Sequence, residues 1–124
     1  MDAEASELPD DLAALGRFAR PSLAILLSLG EGPKHGYAIM AAARDLTGEA
    51  LGPGTLYATL ARLEARGLIE AMPAEDRRRP YRLTADGAAV LRTQLEGIEG
   101  IVRAGLARIG RSASRSAGSP PTTS

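Results

Sequence analysis

The sequence predicts a mainly helical protein with one small two-stranded β-hairpin, and three observations favour this fold class. Hydrophobic residues make up 44% of the chain and aromatic residues only 3%, so aliphatic side chains form the core, and these favour closely packed helices. Apolar residues recur at helical spacing over most of the chain, while two short alternating stretches flank one charged turn. A length of 124 residues suits one domain with an appended helix.

The N-terminal part predicts two helices after a disordered acidic segment, residues 1–8. DDLAALGRFA carries apolar residues at helical spacing behind two acidic residues that suit a helix start, and predicts an additional N-terminal helix. Pro21 then opens a helix in the first-turn position. Its residues SLAILLSL are apolar on nearly every side, which predicts a buried central helix that ends at Gly30.

A helix, a turn and a second helix follow. KHGYAIMAAARDLTG predicts a helix that stops at Gly48. Its apolar face is predicted to consist of Ile39, Ala43 and Leu46. GPGTLYATLARLEARG predicts the next helix, with Gly52 as N-cap, Pro53 in the first helical position and Gly67 as the stop. Its inward stripe is predicted to consist of Leu56, Leu60 and Leu63.

Two short strands, LIEAM (68–72) and PYRLT (80–84), flank the charged connector PAEDRRR and predict a hairpin with an exposed tip. Pro80 has no N–H for a strand ladder, so it shortens the second strand or keeps it at an edge. Tyr81 is expected to pack within the hairpin.

Thr84 is the predicted N-cap of a last helix over residues 85–110, and the Ser/Pro/Gly-rich tail 111–124 is predicted to be disordered. A 4-3 apolar repeat along this helix favours a dimerisation arm, because it extends past the length that a small domain covers; an intramolecular core is the alternative. The predicted dimer interface comprises Leu12, Leu15, Phe18, Leu91, Leu95, Ile98, Val102 and Ile109.

The residue inventory argues against an enzyme. The absence of cysteine excludes disulfides and thiolate chemistry, and with His35 as the single histidine neither a metal nor another cofactor is predicted. The glycines around Gly52 lack the lysine of a Walker-type phosphate loop. No apolar run is long enough to span a bilayer and the N-terminus is acidic, so a cytoplasmic protein without membrane contact is expected.

Charge is distributed unevenly although the formal net charge is zero. The first 15 residues hold five acids and no base, which leaves ten acids against 15 bases for the rest, and all bases but Lys34 are arginine. Arginine suits phosphate and guanine, so the bias is compatible with DNA binding. GC-rich codon usage explains it equally well.

The helix that begins at Pro53 has the geometry of a recognition helix. At about 100° per residue, a polar face lies beside the leucine stripe. This face consists of Thr55, Thr59, Arg62 and Arg66. Small residues at the helix tip allow close approach to phosphate, which the helix N-terminus attracts. An ordinary solvated surface helix is the alternative.

The hairpin tip favours a recognition helix over an ordinary solvated surface helix, because a basic hairpin directly follows the candidate helix in the sequence. Its arginines are Arg77, Arg78 and Arg79, with Arg82 just beyond. A basic hairpin in that position contacts backbone phosphate and supplies affinity without sequence information. The order helix, turn, helix, hairpin therefore predicts a winged helix-turn-helix.

The sequence also resembles a known family. HGY (35–37), PGTLY (53–57), LARLEARGLIE (60–70) and RRRPYRLTADG (77–87) resemble the signature of PadR family transcriptional regulators, and the similarity runs from about Leu23 to Ile109. The resemblance implies a winged helix-turn-helix with a C-terminal dimerisation helix, and a homodimer that binds a palindromic operator, usually as a repressor. It also implies that Tyr37, Thr55 and Tyr57 lie near the phosphate backbone.

Two positions depart from the family pattern: Gly52 replaces a common serine, and Pro80 replaces a basic residue. Some members bind planar molecules between protomers, but this chain has no tryptophan and one phenylalanine, so it supplies few residues for an aromatic clamp of that kind. An apolar effector between the last helices is the alternative, and no residue identifies it.

The sequence thus predicts a DNA-binding domain over residues 9–84 that contacts double-stranded operator DNA; a winged-helix module that binds an acidic protein is the alternative. The predicted DNA-binding residues are Lys34, His35, Tyr37, Gly52, Pro53, Gly54, Thr55, Tyr57, Ala58, Thr59, Arg62, Arg77, Arg78 and Arg79.

Overall fold

The structure, a computed structural model, describes residues 19–118, with side chains described as far as residue 112. Within this range the elements follow the order α1 Ala19–Leu29, α2 Gly36–Thr47, α3 Pro53–Ala65, β1 Ile69–Ala71, β2 Tyr81–Leu83 and α4 Ala85–Gly118. This order confirms the predicted fold class, mainly helical with a two-stranded hairpin. The chain divides after Arg92 into two units, so α4 begins in the first unit and continues through the second.

α1 is the central helix of the first unit. Its side chains are buried on most sides, as its apolar sequence predicts. α1, α2, α3 and the first turns of α4 share one core with β1. Its largest fully buried apolar residues are Ile25, Leu26, Ile39, Leu56, Leu60, Leu63 and Ile69. Burying each such side chain contributes roughly 1.5–3 kcal/mol of transfer free energy. This core fixes the position of α3 against α1 and α2.

α2 ends where the sequence predicts. Gly48 adopts the left-handed conformation with φ 77°, and its N–H donates to the Arg44 carbonyl at 2.8 Å. Ile39 and Ala43 are buried, but the prediction for Leu46 is wrong, because this side chain is 48% exposed. The centre of the buried face of α2 lies between Ile39 and Gly36. At about 100° per residue, Leu46 lies beyond Ile39, on the side of Ile39 that is away from this centre.

The hairpin strands are antiparallel, with Ile69 opposite Leu83, Glu70 opposite Arg82 and Ala71 opposite Tyr81. The carboxylate of Glu70 and the guanidinium of Arg82 form an ion pair across the strands. Pro80 is buried and lies just before β2, where its carbonyl accepts a hydrogen bond from the Met72 N–H at 2.8 Å. The proline therefore shortens β2, as predicted.

Thr84 joins the hairpin to α4. Its hydroxyl accepts a hydrogen bond from the Gly87 N–H at 3.0 Å and donates to the Gly67 carbonyl at 2.7 Å, while its N–H donates to the Leu68 carbonyl at 3.1 Å. The predicted N-cap is confirmed. Gly87 lies so close to Leu68, the residue before β1, that a Cβ atom would overlap the Leu68 carbonyl oxygen.

Gly87→Ala is expected to lower the free energy of unfolding by about 1–3 kcal/mol, because the rigid backbone at Leu68 must move to accept the methyl group. Gly97→Ala on the same helix is the matched control. That position is open, so alanine there should stabilise by about 0.5–1 kcal/mol through helix propensity. Urea unfolding followed by circular dichroism measures both, and a Gly87→Ala protein as stable as the control would contradict this packing.

Two predictions for the C-terminal part are wrong. Leu91 does not lie on an exposed seam, since it is buried in the core of the first unit and packs near Gly30. α4 also does not end at residue 110 but reaches Gly118. The segment 111–118 contains alanine, serine and arginine and no proline, so nothing in its backbone chemistry stops the helix before Gly118.

The other terminal predictions lie outside the described residues. These are the acidic segment 1–8, the additional N-terminal helix with Leu12, Leu15 and Phe18, and the last six residues of the tail. Between residues 19 and 118, no helix combines the length and the apolar character that crossing a bilayer requires.

Candidate nucleic-acid interface

α3 has one buried and one exposed face. The predicted leucine stripe is buried, and Thr55 is exposed. The prediction that Thr59 is available to DNA is wrong, because its side chain is fully buried. Its hydroxyl donates to the Thr55 carbonyl at 2.6 Å, so this small polar residue is satisfied inside the helix and can join the buried arc beside the leucines.

The N-terminal end of α3 is open to solvent. Gly52, the N-cap, makes no side-chain cap hydrogen bond, and Pro53 occupies the first turn. The first intrahelical bond runs from the Leu56 N–H to the Gly52 carbonyl, 2.9 Å long, so the N–H groups of Gly54 and Thr55 precede the hydrogen-bonded ladder. Both residues are exposed. The helix therefore presents two N–H donors and the positive end of its dipole at the surface.

The start of α2 lies against α3 through a glycine. A Cβ atom on buried Gly36 would meet the Tyr57 hydroxyl and the Leu56 side chain, so only glycine admits Tyr57 in its observed position. Tyr57 is nevertheless 54% exposed and Tyr37 is 77% exposed. Both predicted phenols thus lie at the surface, and Ala58 is half-buried next to Tyr57. Arg62, one turn further along α3, is exposed.

Lys34 has a different role from the predicted one. Only 18% of its side chain is exposed, and its ammonium donates to the Ser28 carbonyl at 2.8 Å and pairs with Glu31 at 3.0 Å. It therefore caps the end of α1 and is not presented to DNA. Its backbone forms a bridge with Tyr81: the Lys34 N–H donates to the Tyr81 carbonyl at 3.1 Å, and the Tyr81 N–H donates back at 2.9 Å. This bridge fixes the hairpin against the start of α2.

The hairpin tip is a two-residue turn. Glu75 and Arg78 exchange both backbone hydrogen bonds, 2.6 and 2.8 Å long. The two residues between them have positive φ, 49° for Asp76 and 68° for Arg77, which is the pattern of a type I′ turn. Asparagine or glycine usually marks this turn, so the sequence indicated a charged connector without defining its tip.

A surface depression of about 470 Å³ collects residues from three elements. Its lining consists of His35, Gly36, Tyr37, Tyr57, Arg77, Arg78, Arg79 and Tyr81. No carboxylate belongs to this set. Burial raises the pKa of the Tyr81 phenol, Glu64 adds to that rise and Arg79 opposes it, so the phenol stays protonated at neutral pH. The depression therefore offers three guanidinium groups and phenolic hydroxyls, a donor set suited to phosphate.

The sequence did not predict the contact between His35 and Arg78 in the depression. The Nη1 atom of Arg78 lies 3.4 Å from the Nε2 atom of His35, although the two residues are 43 positions apart in the chain. Both had been predicted as DNA-binding residues. Only the pairing of the hairpin with the start of α2 brings them together, and no local sequence pattern reports that pairing.

The second unit presents an apolar stripe on α4. The predicted residues Leu95, Ile98, Val102 and Ile109 are exposed there, and so are two that the 4-3 repeat omitted, Ile101 and Leu106. Ile101 is the most exposed, at 73%. At about 100° per residue the six side chains cover roughly 140° of the helix surface. The stripe is wider than a strict 4-3 seam.

A family model matches more than half of the chain. Residues 25–93 match the transcriptional regulator PadR-like family. An uncharacterized 37.1 kDa protein in transposon TN4556 of Streptomyces fradiae is 48% identical over 67 residues, which are 54% of this chain and 19% of that protein. The chain spans about a fifth of the length of this curated relative.

Solved structures share the fold. A transcriptional regulator from Clostridium thermocellum is 32% identical, with 67% of this chain and 86% of that chain covered and a TM-score of 0.59. A PadR family transcription regulator from Clostridium difficile is 26% identical, with 67% and 91% covered and a TM-score of 0.61. RosR from H. salinarum is 27% identical, with 75% and 92% covered and a TM-score of 0.56. The family match and these neighbours show that the chain belongs to the PadR-like family of transcriptional regulators.

Proposed function

We propose that the chain represses transcription by binding a palindromic operator as a homodimer. In this proposal α3 enters the major groove, and the hairpin contacts the backbone beside it. Membership of a family of transcriptional regulators supports the regulatory role. Repression and the palindrome rest on the resemblance of the sequence motifs to that family.

One observation carries the DNA-binding proposal: Tyr37 lines both the arginine-rich depression and a second depression that Gly52 also lines, so the open N-terminus of α3 adjoins the arginines. We call this surface the arginine face, defined by Gly52–Thr55, His35, Tyr37, Tyr57 and Arg77–Arg79. Its two parts suit the two tasks of such a protein. Arginines on the hairpin neutralise phosphates, which supplies affinity, while the first turns of α3 approach base edges, which supplies sequence preference.

Within α3, exposed Thr55 and Arg62 are the proposed readers of sequence. A threonine hydroxyl can bond to more than one base, and an arginine fork matches the two acceptors of guanine in the major groove. Ala58, half-buried between them along the helix, leaves room for the edge of a base or for a thymine methyl group. The N–H groups of Gly54 and Thr55 suit a phosphate.

The apolar stripe on α4 supports the homodimer. Six large apolar side chains on one helical face are a costly surface to leave in water, and burying each contributes roughly 1.5–3 kcal/mol. A second copy of the helix offers a complementary stripe under two-fold symmetry. Two copies of α3 then match two half-sites, one helical turn or a multiple of it apart.

Fluorescence anisotropy tests the proposal directly. The probes are duplexes from the DNA just upstream of the gene for this chain, with shuffled duplexes of equal composition as the control. We expect one upstream duplex to bind roughly 10³-fold or more tightly than its shuffled version at physiological salt. Equal, weak binding to every duplex would contradict the proposal and favour a module whose arginine face binds an acidic protein.

A further inference from the structure

We propose that binding of DNA to the arginine face takes up a proton at His35, which makes the affinity for DNA rise as the pH falls. This inference rests on the proposed function and adds to it a specific role for one residue. In the free protein the His35 ring lies next to the Arg78 guanidinium in the depression.

The geometry places the His35 ring between two elements. His35 is the N-cap residue of α2, yet its side chain makes no cap hydrogen bond, so the ring is not engaged by its own helix. Its Nε2 atom faces Nη1 of Arg78 at 3.4 Å. A guanidinium only donates hydrogen bonds, so this contact is a hydrogen bond when the facing ring nitrogen carries no proton. The neighbouring backbone bridge between Lys34 and Tyr81 holds the ring and the hairpin in this arrangement.

Basic side chains surround the ring in the depression. Arg77, Arg78 and Arg79 of the hairpin line the depression with His35, and Lys34 precedes it in the chain. The other titratable groups are the phenols of Tyr37 on α2, Tyr57 on α3 and Tyr81 on β2. Hairpin residues Glu75 and Asp76 and α3 residue Glu64 are not among the lining residues.

A phosphodiester bound in the depression adds a negative charge beside the ring. Its negative charge stabilises the imidazolium, and its oxygens accept hydrogen bonds from both Arg78 and protonated His35. Arg78 no longer needs the ring nitrogen as an acceptor, because the phosphate replaces it. The DNA-bound protein therefore holds more protons than the free protein at a pH where histidine titrates.

The sign of the effect follows from linkage. Because the complex binds the extra proton, a higher proton concentration favours the complex, and Kd falls as the pH is lowered. One histidine can change Kd by at most about tenfold per pH unit, and a dimer carries two. His35 is the single histidine of the chain, so its effect can be isolated by one substitution.

The experiment measures Kd of the full chain for the specific upstream duplex at about pH 8 and about pH 6, where histidine changes its charge. For wild type we expect Kd to be lower by about tenfold or more at the acidic pH. His35→Gln keeps a neutral acceptor for Arg78 but cannot be protonated, so its ratio of the two Kd values should lie within about twofold of one. Gly97→Ala, a substitution in the second unit, should keep the wild-type ratio.

The salt dependence gives a second readout that a structural role would not change. In wild type the slope of log Kd against log salt should steepen at the acidic pH by about 0.9 for each protonated histidine, and His35→Gln should show no such change. The inference would be overturned if the two Kd values of the wild type were nearly equal, or if His35→Gln kept the wild-type ratio of Kd values. In either case, specific binding at about pH 8 would leave the proposed function intact. Loss of specific binding at both pH values in wild type would overturn both.

An observation on the unmodified protein keeps the inference testable if His35→Gln fails to fold. The carbon-bound ring protons of the single histidine report its titration by NMR. We expect the midpoint of this titration to move to higher pH when the specific duplex is added. An unchanged or lower midpoint would overturn the inference.

Discussion

Replacing Arg77, Arg78 and Arg79 together with alanine is expected to weaken specific DNA binding by about a hundredfold or more at physiological salt. The three arginines line one depression whose lining contains no carboxylate, so no acid of that lining neutralises their charges. Each lost phosphate contact reduces the slope of log affinity against log salt by about 0.9, which predicts a decrease of roughly 2.7 per protomer. Anisotropy titrations over a range of salt concentrations measure the slope.

The substitution tests charge and not turn geometry. The left-handed conformation at position 77 is as strained for alanine as it is for arginine. The backbone hydrogen bonds between positions 75 and 78 do not involve side chains, so we expect them to persist. The charge-matched control replaces Arg103, Arg108 and Arg111, three exposed arginines of α4. If that control flattens the slope as much as the hairpin variant does, the hairpin has no special part in DNA binding.

Val102→Asp is expected to convert the proposed dimer to a monomer. Val102 lies near the centre of the apolar stripe of α4 and is half exposed in the single chain. Under two-fold symmetry each aspartate would be buried in the interface, close to its symmetry mate and without a cation to pair with. An unpaired buried charge costs several kcal/mol, which is enough to dissociate the dimer at micromolar concentration. Light scattering measures the mass.

Ala104→Asp provides the matched control, because it adds the same charge on the opposite side of α4 at an exposed position. This variant should remain dimeric. Circular dichroism should show equal helix content in both variants, since both substitutions lie within the same helix. An unchanged mass for Val102→Asp would contradict the proposed role of the stripe, and DNA binding by the monomer at full affinity would contradict the two-half-site arrangement.

Local patterns were sufficient for much of this fold. The leucine stripe of α3 follows from spacing alone, and glycine, proline and threonine mark the ends of the helices through their backbone chemistry. The hairpin was also recognisable, because the charged connector PAEDRRR separates two short alternating stretches. These features are decided by residues that lie within a few positions of one another.

The remaining features depend on contacts between distant segments. Thr59 lies on the polar side by spacing, yet the width of the core buries it. In the sequence Lys34 has the character of a phosphate ligand, but in the structure its ammonium donates to the Ser28 carbonyl in the last turn of α1. Leu91 fits the apolar repeat of α4, but the first turns of that helix belong to the core of the first unit. The contact of His35 with Arg78 has no local signal.

NMR mapping of the bound surface tests the central claim most directly. We expect the amide signals of Gly54 and Thr55 at the open end of α3, and those of the hairpin tip from Asp76 to Arg79, to shift most when the specific duplex is added to the ¹⁵N-labelled protein. The same signals should shift less with the shuffled duplex. If the largest shifts lay elsewhere and the amides of α3 were unchanged, DNA would not be read by this helix.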